Sequence, residues 1–443
     1  MKKIIFLLLI TNYSLIISYA QTSSNMYQLA SLDQHGNGYS ACWGYTAPNG
    51  REYAILGCNT GTAFIDITDS ANIHEVSFKT GLTSGWREMK VYSHYAYVVS
   101  EATGSGVQIF DLQYLPDSVH FVTTYTFTGY NRTHSISQSG PYLYLNGGNY
   151  GMGGVVVLDL TQNPEAPVKR GEWETRYVHD CRVRQDTIWA CNISSGQVTV
   201  INATNKDNLQ TVTQWTNLPS PNAPHNCEIT QDRRYILVTD EVFGGTPGKL
   251  KVWNIENLSN ITYVTSWGVP NTTSTVHNVE IYGDTAVLAY YGRGVRVLDI
   301  SNPAVPVEIA YYITPSCWGV YMFGSRKIID SDVPNGLYVL KVGTLVGIQP
   351  ISNEIPSQSR LYQNYPNPFN PITNLEFQIT NLGFVRLIVY DVLGREVAVL
   401  VNEELKAGTY EAEWDASGFP SGVYFYKLAT GDFSQTKKMV LVK

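Results

Sequence analysis

Four histidines recur at a similar interval along the chain: His134, His179, His225 and His277. Carboxylates at Glu101, Asp240 and Glu241 belong to the segments beside them. Imidazole nitrogens with one or two carboxylate oxygens are a donor set for Zn²⁺ and related divalent ions. On that chemistry His179, His225 and His277 are candidate metal ligands, with Glu101 or Asp240 as base for a metal-bound water. Asp330 and Asp332 supply hard oxygens, a candidate pair for Ca²⁺. The same histidines also have an architectural use. An imidazole or indole N–H can donate to the backbone of a neighbouring structural unit and tie the two together. The chain carries no HExxH, no CxxC and no GxSxG elbow. Cys227 stands two residues from His225 with no orienting third group, so it makes no thiol catalytic pair.

The elements that must position these residues form a repeat of about 46 residues. "PHNCEITQDRRYILVTDE" (Pro224 to Glu241) has relatives at "THSISQSGPYLYLNG", "VHDCRVRQDTIWACN" and "VHNVEIYGDTAVLAY". Three further units carry Trp where these carry His, which gives seven anchors: Trp43, Trp86, His134, His179, His225, His277 and Trp318. Each unit reads as four strands, because apolar residues alternate and turn residues punctuate them. The third strand is the plainest, as in "TAFIDI", "GVVVLDL" and "GVRVLDI". An Asp or Asn recurs near its end: Asp66, Asp111, Asp159, Asn202, Asn254 and Asp299. Such side chains bond nearby backbone donors and shape a turn. Seven four-stranded units predict an all-β fold, a seven-bladed β-propeller over residues 25–344. The seventh unit lacks a fourth strand, and "NMYQLASL" (Asn25 to Leu32) is expected to supply it and close the ring. The first strand of each blade would line the central channel, so the His and Trp anchors should ring one mouth. Loops beginning at Glu101, Asn146, Asp240 and Asp330 should overhang it. Trp43, Trp86, Tyr150 and Trp318 could stack on sugars or pack between blades.

Bulk composition narrows the function classes. Charged residues make up 15 %, Tyr occurs 31 times, and the net charge is −7 with no basic cluster, which excludes a nucleic-acid partner. Residues 1–20 read as a signal peptide, with Lys2 and Lys3, the apolar "IIFLLLI" and the small-x-small "SYA". No later stretch is long and apolar enough to span a bilayer, so the mature chain is expected to be exported without a transmembrane segment. Export permits disulfides. Of the six Cys, Cys42 with Cys58 and Cys181 with Cys191 flank hairpin turns and are candidate pairs.

After a Pro- and Ser-containing stretch read as a linker, residues 345–360, the sequence changes character. Alternating runs split by Gly turns predict a small Ig-like antiparallel β-sandwich over 361–443. The carrying motifs are "YPNPF" (Tyr365, Pro366, Asn367, Pro368, Phe369), "DVLGREV" with Gly394 and Arg395, "EWDASGFPSGVYFYKL" with Trp414 and Gly422, and "KKMVLVK" with Lys437 and Lys438. They resemble the type A C-terminal sorting domain of the type IX secretion system. That resemblance implies a Bacteroidetes-like source, export through the periplasm by the Sec system, and the type IX machinery as partner. It implies a final location in the medium or at the outer-membrane cell surface, with the module often removed. The repeats resemble those of choice-of-anchor B proteins, built from LVIVP-type repeats. "VLDISNPAVPVEIAYY" (Val297 to Tyr312) is the plainest copy. That family brings no established reaction. The sequence therefore favours a cell-surface or secreted binding platform for a polysaccharide or protein ligand. The alternative is a metal-dependent hydrolase or lyase at the channel mouth, and no cofactor beyond a divalent metal, Zn or Ca, is implied.

Overall fold

The computed structural model describes residues 23–443, save 37, 71, 243, 245, 343–348, 353–355, 417–418 and 432. The side chains at 349–352 and 402–404 also lie outside the description. The expected signal peptide, 1–20, falls outside the described residues, as does part of the expected linker. The chain divides into two compact units between residues 343 and 344. Among the described residues no helix is long and apolar enough to cross a membrane.

The first unit is seven four-stranded antiparallel blades. The innermost strands are Tyr39–Thr46, Arg87–Tyr92, Ser135–Ser139, Asp180–Arg184, Pro224–Ile229, Val279–Tyr282 and Cys317–Met322. Each touches the innermost strand of the next blade, and the seventh touches the first, so the ring is closed. Closure comes from the N-terminus. Met26–Leu32 pairs antiparallel with Gly336–Val342, from Met26 opposite Val342 to Leu32 opposite Leu337. The short strand Ser23–Ser24 adds itself to the outer edge of the sixth blade, opposite Tyr311 and Tyr312.

A single blade has two apolar faces and cannot bury either alone. The apolar core is therefore divided into seven clusters, one at each blade–blade interface. Ile55 and Phe64 of the first blade meet Val98 and Phe110 of the second; Ile329 and Val339 of the seventh meet Ala54 and Leu56 of the first. The recurrent Asp/Asn does what its chemistry requires. Asp66, Asp111, Asp159, Asn202, Asn254 and Asp299 each accept, through Oδ1, the backbone N–H two residues on, at 2.8–3.0 Å.

The cysteine pairings expected from hairpin symmetry do not form, and all six thiols are free and buried. The registers explain why. Gln185 and Asp186 form the turn with φ of +45° and +61°, which sets Cys181 opposite Ala190 and Cys191 opposite Asp180. One residue of offset puts the two thiols on opposite faces of the sheet. Cys181 joins the cluster toward the third blade, and Cys191 the one toward the fifth. In the first blade Cys42 opposes Leu56, and a bulge then sets Tyr39 opposite Cys58. The thiols share a face there but are out of step.

The second unit is a sandwich of two four-stranded sheets. Its core holds Phe369, Phe377, Leu387, Trp414, Tyr426 and Met439. The interval expected to be a linker contributes to it, since Gln349–Ser352 pairs with Gly408–Asp415 as an added edge strand. Gly394 adopts φ +77° in the turn Asp391–Arg395, a conformation that favours glycine, and Arg395 Nε bonds Asp391 Oδ2 at 2.7 Å. Trp414 is core, whereas Tyr365 is 81 % exposed. Gly422 opens the strand Gly422–Thr430, and Lys437 and Lys438 lie in Phe433–Leu441.

Deleting the chain through Leu32 should leave Gly336–Val342 as a bare edge. A fall in Tm on the order of 10 °C and self-association on size-exclusion chromatography are expected. A peptide spanning Met26–Leu32, added in trans, should reverse both. Unchanged melting would mean that the ring does not depend on this strand.

Candidate functional site

Each blade brings a residue to the rim layer of the channel mouth, namely Ala41, Trp86, His134, His179, His225, His277 and Trp318, and Arg87, Glu88, Ser135, Asp180 and Asn278 complete the lining. Six of these are the expected anchors. The exception is the first blade, where the bulge at Ser40–Ala41 places Ala41 at the mouth and Trp43 one layer deeper. There the Trp43 ring lies under Lys90 Nζ, 4.0 Å from its centroid. Tyr150 is not at the mouth; it packs edge-on against Phe127.

The four imidazoles form a continuous row of mutually tilted rings. Ring centroids are 4.2 Å apart from His134 to His179, 4.3 Å to His225 and 4.1 Å to His277, and Trp318 follows at 4.7 Å. Their bonds divide them by role. His225 Nδ1 lies 3.1 Å from the His277 carbonyl, and His277 Nδ1 lies 2.5 Å from the Trp318 carbonyl. A carbonyl only accepts, so both Nδ1 atoms carry the proton and donate it to the next blade. Both Nε2 atoms therefore keep a lone pair. Those atoms face Glu241, at 3.5 Å from His225 Nε2 to Oε2 and 3.9 Å from His277 Nε2 to Oε1. Tyr291 donates its hydroxyl to Glu241 Oε1.

His134 behaves differently. Its Nδ1 stands 2.6 Å from Glu101 Oε1. Burial opposes the imidazolium, yet the Glu101 hydrogen bond and charge, backed by Glu88 and Asp180, raise its pKa above the ordinary value. The His134 hydrogen bond in turn holds Glu101 below the usual carboxylate range. Burial, then repulsion from neighbouring imidazoles, pushes His179 and His225 well down. Burial likewise lowers His277. The mouth thus joins one ion pair to three imidazoles held neutral.

Above this floor is an open depression of about 450 Å³, lined by Trp86, Glu101, His134, Tyr177, His179, Glu241, Tyr291, Ser316, Trp318 and Val333. Trp86 is 44 % exposed on its rim. Glycine shapes one wall: Gly147 has φ +65°, and a Cβ there would lie 2.8 Å from His134 Cβ. Below the floor, charged groups fill the channel. Arg182 pairs with Glu228 at 2.9 Å and Glu280 at 2.7 Å, and Lys90 with Glu88 at 2.8 Å.

Three expected site residues sit elsewhere. Asp240 is fully buried, paired with Lys251 at 2.6 Å, and accepts from Asn217 Nδ2 and the Ala223 N–H. It has no access to the mouth and is no candidate base. Asp330 and Asp332 lie in a buried strand, not in an open loop. Asp330 accepts from the Thr314 hydroxyl, and Asp332 from the Ser316 and Asn335 N–H groups. They are spent on the fold, not gathered as a cage for Ca²⁺, which takes about 6–8 oxygens. The set His179, His225 and His277 is also revised. The donor atoms that lie within 4.8 Å of one another belong to His179, His225 and Glu241. Tyr291 and Val333 were missed, although the repeat could have shown them. They follow the second strand of their blades as Glu101 and Glu241 follow theirs.

A closed seven-bladed β-propeller with a histidine-lined mouth, followed by a β-sandwich, defines the class. Sequence comparison specifies both parts. Residues 275–314 match the LVIVD repeat, the repeat expected as LVIVP-type, and residues 363–443 match the secretion system C-terminal sorting domain. The propeller thus carries one recognised LVIVD repeat, in its sixth blade, and the chain ends in a type IX secretion C-terminal sorting domain, which implies secretion or attachment at the cell surface. No curated protein matches the chain. Among solved structures, the WD40 propeller domain of Doa1 is similar at TM-score 0.52 and 10 % identity, covering 71 % of this chain and 96 % of that one. A putative 6-phosphogluconolactonase from Bacteroides fragilis is similar at 0.50 and 10 %, covering 85 % and 98 %. At these identities the likeness shows the propeller fold alone. PorZ, a surface component of the type-IX secretion system of Porphyromonas gingivalis, gives 0.46 and 11 %, covering 90 % of this chain; the match spans 59 % of PorZ.

Two titrations follow. Replacing Glu101 by Gln removes the carboxylate that offsets burial, so the pKa of His134 should fall from above its ordinary value to below it, read from the imidazole Cε1–H shift by NMR. Burial raises Asp330 to about 7 from 3.8. The folded state keeps a proton that the unfolded state has lost between those values, so stability falls as pH rises through that window. Asp330→Asn should then stabilise the protein at pH 8, by roughly 1–4 kcal/mol, and change little at pH 4. Equal denaturant midpoints at both pH values would refute the assignment.

Proposed function

We propose that the chain is an exported binding platform whose mouth depression takes a polyhydroxylated ligand, a surface polysaccharide in the first instance. The observation that carries this is the composition of the depression. Trp86, Trp318, Tyr177 and Tyr291 offer ring faces and edges, while Glu101, Glu241 and Ser316 offer oxygens. Aromatic planes stack on the apolar faces of sugars, and carboxylates accept from their hydroxyls. Trp318 sits on an inner strand and the others sit within three residues of a blade strand in a closed ring, so little is lost in ordering the site. Hydrolysis at this mouth is the weaker reading. Of its candidate bases, Asp240 is locked to Lys251 and Glu101 to His134.

The sorting domain supports passage through the type IX machinery, with Sec export to the periplasm as the preceding step and the outer-membrane surface or the medium as destination. A propeller joined to a detachable address module fits the choice-of-anchor B pattern.

Glycan-array screening of the full exported chain, followed by calorimetry, tests the proposal. A saccharide bound by the wild type and bound at least ~10-fold more weakly by Trp86→Ala, a loss of ~1.4 kcal/mol, supports it. Trp86 is on the rim, so the variant should fold. Silence across the array, or binding indifferent to both Trp86→Ala and Trp318→Ala, would exclude the mouth as a sugar site.

A further inference from the structure

We propose that His179, His225 and Glu241 hold one divalent transition-metal ion of the Zn²⁺ class on the floor of the mouth, with an open coordination position facing the depression. The inference deepens the reading of the mouth as the ligand site. It rests on that reading only for what the open position would meet.

Three independent observations carry it. The donor atoms of the three side chains lie within 4.8 Å of one another. Around a tetrahedral ion with bonds of about 2.0–2.1 Å, donors stand roughly 3.4 Å apart. His225 Nε2 and Glu241 Oε2, at 3.5 Å, already meet that spacing. The remaining approach is a side-chain adjustment, not a change of fold. Second, the tautomer of His225 is fixed for ligation. Its Nδ1–H is donated to the His277 carbonyl, so its Nε2 presents a lone pair to Glu241. A ligating imidazole that donates its other nitrogen to a backbone carbonyl is the usual outer-shell arrangement of metal sites. Glu241 is oriented in the same manner, by the Tyr291 hydroxyl on its other oxygen. Third, His179 Nδ1 is buried and has no hydrogen-bond partner among the described residues. Buried polar atoms are seldom left so, and an orphan calls for a missing ligand or water.

The surroundings suit a cation. In the layer beneath, the carboxylates Glu88, Asp180 and Glu280 outnumber the cations Lys90 and Arg182, and His134 is taken out of the donor set by Glu101. Two imidazoles and one carboxylate are a donor set of sites that keep a position for water or substrate. His277, whose Nε2 lies 3.9 Å from Glu241 Oε1, stands beside the set rather than in it. An ion in this place would touch hydroxyl oxygens of whatever enters the depression, adding a directional contact to aromatic stacking.

The test uses the full exported chain, without a His-containing tag, stripped by chelator and titrated with Zn²⁺ and with Co²⁺. One Zn²⁺ per chain is expected by competition with a chromophoric chelator, and Co²⁺ should develop a visible ligand-field band. Glu241→Gln and His179→Ala should each weaken Zn²⁺ binding at least ~10-fold and abolish the Co²⁺ band, while His134→Ala should retain both. Circular dichroism checks that each variant folds. Should His179→Ala unfold, the rim-facing Glu241→Gln still decides the matter. Absence of stoichiometric binding, or affinity unmoved by Glu241→Gln, overturns the proposal. Glycan binding by a chain that takes up no stoichiometric Zn²⁺ in the titration would defeat the metal site and leave the mouth reading standing. Metal bound with no saccharide would do the reverse.

Discussion

Everything at the mouth depends on the antiparallel pairing of Met26–Leu32 with Gly336–Val342. A propeller blade is stabilised by its neighbours on both sides. An open arc would leave one interface of apolar residues facing water at each end. Closing the seventh blade with the N-terminal strand completes that sheet. The inner strand Cys317–Met322 can then pack against Tyr39–Thr46. Only then do seven mouth residues face one another across a single opening.

Within that ring, one side chain serves two demands at once. The histidine repeat poses a choice between architecture and chemistry, and the hydrogen bonds dissolve it. In His225 and His277 the Nδ1–H ties one blade to the next, while Nε2 remains free on the mouth side. The structural bond is what fixes the chemical face. Asp240 and Glu241 show the complementary case, two adjacent carboxylates with opposite fates. Asp240 points inward to Lys251, and Glu241 points outward to the imidazoles.

The repeat was legible in the sequence because its signals are local. Alternation and turn residues fixed the strands, and the Asx turns after the third strands fell where their chemistry demanded. The closing strand was legible because the last unit lacked a partner. What the sequence hid was register. A bulge at Ser40–Ala41 moved Trp43 inward, whereas the Gln185–Asp186 turn fell where expected and Cys191 stands one residue farther from it than Cys181 does. Such single-residue offsets reverse which face a side chain occupies, and composition carries no trace of them. The site was half legible. The histidines announced themselves by period, but the carboxylate that joins them could not be chosen between Asp240 and Glu241 without knowing which way each points. The edge strand Gln349–Ser352 was hidden for a related reason, since it borrows its pairing from Gly408–Asp415, far along the chain.

The closing strand also sets an order of events. A chain that is threaded from its N-terminus delivers Met26–Leu32 first and its partner Gly336–Val342 last. Until then the strand has nothing to pair with, and every blade made meanwhile belongs to an incomplete circle. Contacts this distant in sequence are slow to form, because the loop they close must be ordered before they reward it. The ring thus acts as a completion check. The closing pairs run from Leu337 to Val342, so a chain that ends before Gly336 lacks the strand that closes the ring.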